Sequence, residues 1–265
     1  MALMTPPLNG IRMAYRIDGA PGAPWLTLLT GLTNDLSMWE PQMPAFEGSL
    51  RILRYDLRGQ GGSEATPPPY TPDMLILDLL ALWDHLGIKR SHVLGLGLGG
   101  ALAQGIAIHH AERVDKLVPC CCRADMVPDF AANWLRRQAL VRDSGIETIV
   151  EDTAQRWFSD DFKARNPGVI DGVRAMIRRT STDGYLGCTS AFLGVRYEAD
   201  LGRIKAPTLY VGGAEDKSGG PPALMAGLAG KVPGARYESV PAAAHIANLQ
   251  NPDAFNRIVA KFLLA

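Results

Sequence analysis

The chain has no excess of either charge. Its 265 residues carry 27 Lys+Arg against 27 Asp+Glu, a formal net charge of +0. That balance gives no electrostatic reason to expect nucleic acid or an anionic membrane surface as a partner. Long apolar runs are also missing, and no stretch approaches the length of a membrane span. Residues 1–10 hold no basic segment followed by an apolar core, so a secretory signal is not expected. Cysteine is scarce, at four residues, and no Cys-x-x-Cys occurs. Three of the four are consecutive, Cys120, Cys121 and Cys122; adjacent cysteines on a strand point to opposite faces and seldom pair. The expectation is reduced, buried thiols in a cytoplasmic protein, with no metal site and no redox motif.

What is present is ordinary for a globular chain: 47% hydrophobic and 20% charged residues. The length suits one large α/β domain with an insertion. The compact apolar run at 25–29 reads as a strand buried on both faces, 116–122 as another buried strand, and 51–55, 92–95 and 208–211 as further strands, with 92–95 central. Residues 11–17 alternate loosely and read as an antiparallel edge strand; residues 235–240 read as the last strand. Helical patterns lie between them. Thr71 caps one, with Pro72 at its first position, and Leu75, Leu79, Leu82, Trp83 and Leu86 form its apolar stripe before Gly87 ends it. A second runs over 101–109, a third opens at Pro221 and a fourth at Pro252. Strands alternating with helices imply a mostly parallel twisted sheet covered on both faces. Residues 125–200 break the alternation with helical stretches at 131–142, 146–157 and 169–180. The expected division is therefore a core of residues 1–124 and 201–265 with a helical lid, 125–200, over the carboxyl ends of the strands.

Active sites of open parallel sheets collect in the loops beyond those strand ends. The densest such loop is Gly95-Leu96-Gly97-Leu98-Gly99-Gly100, between a strand and a helix. It fits two patterns. One is Gly-x-Ser-x-Gly, a nucleophile elbow, with Gly97 at the serine position. The other is G-x-G-x-x-G, a dinucleotide fingerprint. A fingerprint normally opens the first βαβ unit, whereas this one follows some 90 residues of sheet, and it leaves the downstream residues unexplained. Those are Asp216, after a late strand, and His245, after the last. Elbow, acid and histidine in that order are the arrangement of a hydrolytic triad.

With these residues in view, the chain resembles the α/β-hydrolase family, and most closely its branch of 3-oxoadipate enol-lactonases. The likeness rests on Met38-Trp39-Glu40-Pro41-Gln42 and Arg54-Tyr55-Asp56-Leu57-Arg58-Gly59-Gln60-Gly61-Gly62-Ser63. It continues in Asp183-Gly184-Tyr185-Leu186-Gly187-Cys188, Ala206-Pro207-Thr208-Leu209 with Gly213-Ala214-Glu215-Asp216, and His245-Ile246-Ala247-Asn248 with Pro252 and Phe255. The resemblance implies an α/β-hydrolase fold, Asp216 as the acid, His245 as the base and Gly97 at the nucleophile position. It further implies an oxyanion hole from the Leu32 and Leu98 amides, a small-molecule substrate and no cofactor. The departure that matters is Gly97, because glycine cannot form an acyl-enzyme. Gln60 stands where relatives carry histidine, in a turn rather than at the chemistry.

Three readings stay open: a His245/Asp216 general base acting on a small ester, lactone or β-dicarbonyl compound without a covalent step; a serine enzyme with glycine introduced at 97; and a silent binding protein. In the lid, Trp134 and Arg137 share a helix face and are candidates to clamp a substrate carboxylate. Arg123, at a strand end beneath the lid, is a comparable candidate.

Overall fold

The loop that carries Gly97 hangs from the middle strand of a seven-stranded sheet, and the rest of the architecture follows from how that strand is flanked. The computed structural model describes residues 3–265. Two short strands, β1 (Pro7–Leu8) and β2 (Ile11–Arg12), form a separate antiparallel pair. The main sheet contains β3 (Tyr15–Gly19), β4 (Trp25–Leu29), β5 (Arg51–Tyr55), β6 (Ser91–Leu96), β7 (Val114–Cys120), β8 (Leu209–Gly213) and β9 (Arg236–Val240). Their order is β3-β5-β4-β6-β7-β8-β9. β3 is antiparallel to β5, and the other neighbours are parallel.

β6 is buried at every position, as a strand covered on both faces must be. Its register pairs Leu29 with Gly95 on one side and Leu96 with Cys120 on the other. The carboxyl ends of β4, β6 and β7 therefore open side by side.

The helices expected from Pro72, over 101–109, near Pro221 and from Pro252 are present, and others lie between them. After the short α1 (Met43–Phe46) comes α2 (Pro72–His85), whose cap Thr71 accepts the Met74 amide at 3.1 Å. α3 (Leu98–His109) starts directly from the elbow. α4 (Pro128–Ser144), α5 (Glu147–Trp157), α6 (Asp160–Arg165), α7 (Pro167–Arg178) and α8 (Thr182–Leu193) lie consecutively between β7 and β8. α9 (Pro222–Ala229), α10 (Ala247–Gln250) and α11 (Pro252–Leu263) complete the chain. Among the described residues no helix is long and apolar enough to cross a membrane. All four cysteines are free and buried.

The structure departs from the sequence reading in three places. The edge strand expected over 11–17 is two strands. Between them Met13 and Ala14 are both fully buried, which a half-buried alternating strand does not allow; the Ala14 amide donates instead to Ser63 Oγ at 2.9 Å. The strand expected to reach residue 122 stops at Cys120, because Cys121 turns to φ +43°. The third difference is α8, whose Gly184 and Gly187 argue against helix by propensity. Packing reverses that preference. A Cβ on Gly184 would sit 1.9 Å from the Gly59 carbonyl oxygen, and one on Gly187 would sit 2.3 Å from the Tyr70 ring. The glycines let a buried helix lie directly against the core.

Candidate active site

Strand ends and local turns bring the polar residues of the site together. Gly97 has φ +57° and ψ −116°, a backbone conformation that costs a residue with a side chain of order 1–3 kcal/mol. The turn is tight for reasons of packing. A Cβ on Gly95 would meet the Gly99 carbonyl oxygen at 2.3 Å, and one on Gly100 would meet Cys122 Cβ at 2.7 Å. Two of the three glycines that spell the dinucleotide pattern, Gly95 and Gly100, are thus accounted for by strand and helix contacts. Position 97 itself is open. A Cβ there would find only His245 Nε2 at 3.7 Å and Gly31 Cα at 3.8 Å within 4 Å.

Asp216 follows β8, and His245 follows β9. His245 Nδ1 and Asp216 Oδ2 are 2.9 Å apart, and both residues are buried. The Asp216 carboxylate is held from all sides. The Ser218 amide donates to Oδ1 at 2.7 Å and the Ser218 hydroxyl at 3.0 Å, while the Gly220 amide donates to Oδ2 at 2.9 Å. Burial alone would raise this carboxyl, but the His245 ring and the two amides outweigh it and take it down to about 2.

Gly219 allows the approach: a Cβ on it would lie 2.2 Å from His245 Cε1. Trp157 of α5 lies over the imidazole at 6.1 Å between ring centroids. Cys121 Sγ and the dyad atoms all lie within 4.8 Å of one another. The thiol is pushed well above its ordinary value by burial and by the charge of Asp216, so it is neither a thiolate nucleophile nor a ready metal ligand. Each Asp216 oxygen already accepts two hydrogen bonds, which leaves the carboxylate committed to the dyad.

The loop after β4 brings Leu32 into the lining of the same cavity as His245. Thr33 there has φ +60°. Leu98 is the first residue of α3, where amide N–H groups have no partner within the helix. Neither the Leu32 nor the Leu98 amide donates to a backbone carbonyl among the described residues. Leu32, Gly97 and Leu98 line one cavity, at the amino end of α3.

That cavity measures about 1060 Å³. Its floor includes Gly97, Leu32, Leu98 and His245, and its lid side includes Arg123, Trp134 and Arg137. The residues singled out from the sequence therefore meet at one cavity, with Asp216 behind His245. Their engagements differ. Arg137 is buried, and its two terminal nitrogens donate to the Asp152 carboxylate and the Thr153 hydroxyl. The Arg123 Nε has no hydrogen-bond partner among the described residues.

Sequence reasoning missed the Ser218 and Gly220 amides around Asp216, the ring of Trp157, and a link from loop to lid. In that link Arg179 Nε donates to Asp35 Oδ2 at 3.1 Å. Only the Ser218-Gly219-Gly220 run carried a local signal, since two adjacent glycines after a catalytic-position acid mark a close backbone approach.

Comparison with known proteins gives the family. A model of the alpha/beta hydrolase family matches residues 20–258. 3-oxoadipate enol-lactonase 2 of Acinetobacter baylyi is 31% identical over 252 residues, covering 94% of this chain and 92% of that protein. The crystal structure of an enol-lactonase from Burkholderia xenovorans LB400 superposes with a TM-score of 0.94 at 35% identity, over 98% of this chain and all of that one. A hydrolase from Pseudomonas aeruginosa gives a TM-score of 0.93, also at 35% identity, over 100% of this chain and 98% of its own.

Proposed function

Because this chain belongs to the α/β-hydrolase family, we propose that it acts on a small ester, lactone or β-dicarbonyl compound by general-base chemistry, without an acyl-enzyme. The observation that carries this reading is the open position beside His245. The elbow backbone is retained, the imidazole Nε2 faces it, and there is no side chain between them. A water molecule fits where a serine hydroxyl would otherwise stand.

In the proposed reaction the Asp216 carboxylate accepts a hydrogen bond from Nδ1–H of His245, which leaves Nε2 unprotonated as the base. Nε2 takes a proton from the water as its oxygen bonds to the substrate carbonyl carbon. The carbonyl oxygen gains negative charge between the Leu32 and Leu98 amides. The intermediate then collapses, the ester bond breaks, and the leaving oxygen recovers the proton from His245. With a β-dicarbonyl substrate the same base removes a proton from carbon, and the same amides hold the enolate.

The test is single-turnover hydrolysis of p-nitrophenyl acetate and of dihydrocoumarin, followed by intact mass spectrometry after acid quench. Product is expected with no acyl adduct on the protein, and His245→Ala is expected to lower the rate by about 10²–10⁴-fold. An adduct, or full turnover in His245→Ala, overturns the reading.

A second reading draws on the same open space. The Cβ of a serine meets nothing closer than 3.7 Å at position 97, so the scaffold also accommodates a complete triad. If this site is a serine hydrolase without its nucleophile, Gly97→Ser raises ester hydrolysis by orders of magnitude over the unmodified chain and an acyl adduct forms. If general-base chemistry is native, the serine variant brings no gain on the true substrate.

A further inference from the structure

A carboxylate set into a protein wall needs a partner, because burying an unpaired charge is costly. Asp35 is such a group. It lies just beyond Leu32, and its side chain is 11% exposed. Its Oδ1 accepts the Ser37 amide at 3.0 Å. Its Oδ2 accepts from Arg179, through Nε at 3.1 Å and through a terminal nitrogen. Arg179 does not belong to the core: it closes α7, in the lid, and is about half exposed. The charge beside the Leu32 loop is therefore met by a residue 144 positions away.

The turn around Asp35 also has ties to the core. The Asn34 amide donates to the Gly31 carbonyl at 3.2 Å, and the Leu36 amide donates to Asp56 Oδ1 at 2.6 Å. Gly61 lets the two acids pack side by side, since a Cβ there would lie 2.3 Å from Asp56 Oδ2 and 2.8 Å from Asp35 Cβ. The Leu32 amide donates to no backbone carbonyl among the described residues. Where it points thus depends on what holds residues 34–36.

α7 is coupled to the other half of the site as well. Arg174 and Arg178, one helical turn apart, make forked pairs with Glu151 and Glu147 of α5, all at 2.7–2.9 Å. α5 ends at Trp157, whose ring lies 6.1 Å from that of His245 and whose carbonyl accepts the Ile246 amide at 3.3 Å. The two lid helices therefore touch the turn after Leu32 on one side and the His245 segment on the other.

We infer that Arg179 is a positioning residue: by holding Asp35 it sets the loop that presents the Leu32 amide, so that this donor is in place only when α7 is seated on the core. Arg179 does not line the cavity and acts on the reaction only through the loop. The inference rests on the role proposed for the Leu32 amide, but not on whether water or a serine at position 97 attacks the carbonyl.

Two measurements on Arg179→Ala, Arg179→Lys, Asp35→Asn and the double variant Asp35→Asn/Arg179→Ala test it. The first is hydrogen–deuterium exchange over residues 31–38. Exchange there is expected to be several-fold faster than in the unmodified protein when either charge is removed, and unchanged in β4. The second is kcat and KM for p-nitrophenyl acetate. Arg179→Ala is expected to lower kcat about tenfold with KM within about twofold, because a displaced donor is lost from the transition state rather than from substrate binding. Asp35→Asn should lose as much, the double variant no more than either alone, and Arg179→Lys, which keeps the charge without the fork, should recover part. A merely structural role would raise exchange along the whole chain and leave kcat per folded molecule unchanged. Unchanged exchange over 31–38, a kcat within twofold of the unmodified protein, or losses that multiply in the double variant overturns the inference. Full turnover in His245→Ala removes the base mechanism and leaves Arg179 in its role. If the unmodified protein does not turn over the ester, the proposed function falls and exchange over 31–38 alone decides the inference.

Discussion

At the scale of single residues, the site poses a question about one missing side chain. Gly97 keeps a positive φ that glycine adopts without strain. A serine there would carry the strain its role demands, so Gly97→Ser should lower stability by about 1–3 kcal/mol, measured by urea denaturation, whatever it does to hydrolysis. Equal stability of the two proteins would show that the elbow relaxes around the new side chain. Asp216 allows a cleaner test. With asparagine at 216 the Nδ1 proton loses its charged acceptor, and the wrong imidazole tautomer is favoured. Loss of the corresponding carboxylate in a serine protease triad costs about 10⁴-fold. Asp216→Asn is therefore expected to cut kcat by about 10³–10⁴ with little change in KM; a drop of less than tenfold would make Asp216 a purely structural residue.

At the scale of elements, several polar contacts tie the lid to the core, and one of them reaches the turn after the loop that carries Leu32. Asp35, in the turn after that loop, pairs with Arg179 between α7 and α8, and the side chain of the neighbouring Asn34 donates from Nδ2 to Met176 Sδ at 3.5 Å. Arg179 is half exposed, so the pair adds little to global stability. Its effect is local. Arg179→Ala should speed amide exchange over residues 167–193 several-fold, while Tm moves by no more than about 2–4 °C. Unchanged exchange would mean that apolar packing alone holds the lid.

Such contacts explain what the sequence could and could not disclose. Strands 25–29, 51–55 and 92–95 were legible as short, largely apolar or β-branched and aromatic runs ended by glycine or polar turns. The order of elbow, acid and histidine was legible because topology fixes it. α8 was not, because Gly184 and Gly187 serve contacts with Gly59 and Tyr70, more than 100 positions away. The Asp35–Arg179 pair spans 144 positions and involves residue types that any surface carries. The split between β2 and β3 was hidden for a similar reason: the partner of Ala14 is Ser63, in a distant loop.

For the molecule as a whole, two buried carboxyls pull stability in opposite directions as pH changes. Asp56 lies in the turn after β5. It accepts the Leu36 amide at 2.6 Å and the Gly62 amide at 2.7 Å, and it anchors the loop that leads to the lid contact. Burial is the largest influence and raises it; the two amides lower it; the charge of Asp35 raises it again, and the outcome is about 7. An unfolded aspartate loses its proton near 3.8, so between that pH and about 7 the unfolded chain ionises while the folded one holds its proton. The contribution of Asp56 is therefore complete below about 3.8 and is lost as pH rises through 7. Asp216, held down to about 2, behaves in reverse: its contribution is present above about 3.8 and disappears as pH falls towards 2. The sum is a maximum of stability on the acid side of neutrality. Unfolding free energies from urea titrations are expected to decline from pH 5 to 7.5, with a slope from Asp56 of at most about 1.4 kcal/mol per pH unit. Asp56→Asn should flatten that decline and leave the acid limb below pH 4 in place, whereas Asp216→Asn should weaken the acid limb and leave the decline. Arg179 lies close enough to lower Asp56, so Arg179→Ala should carry the decline to higher pH. An Asp56→Asn protein with the slope of the unmodified chain would assign the decline to other groups.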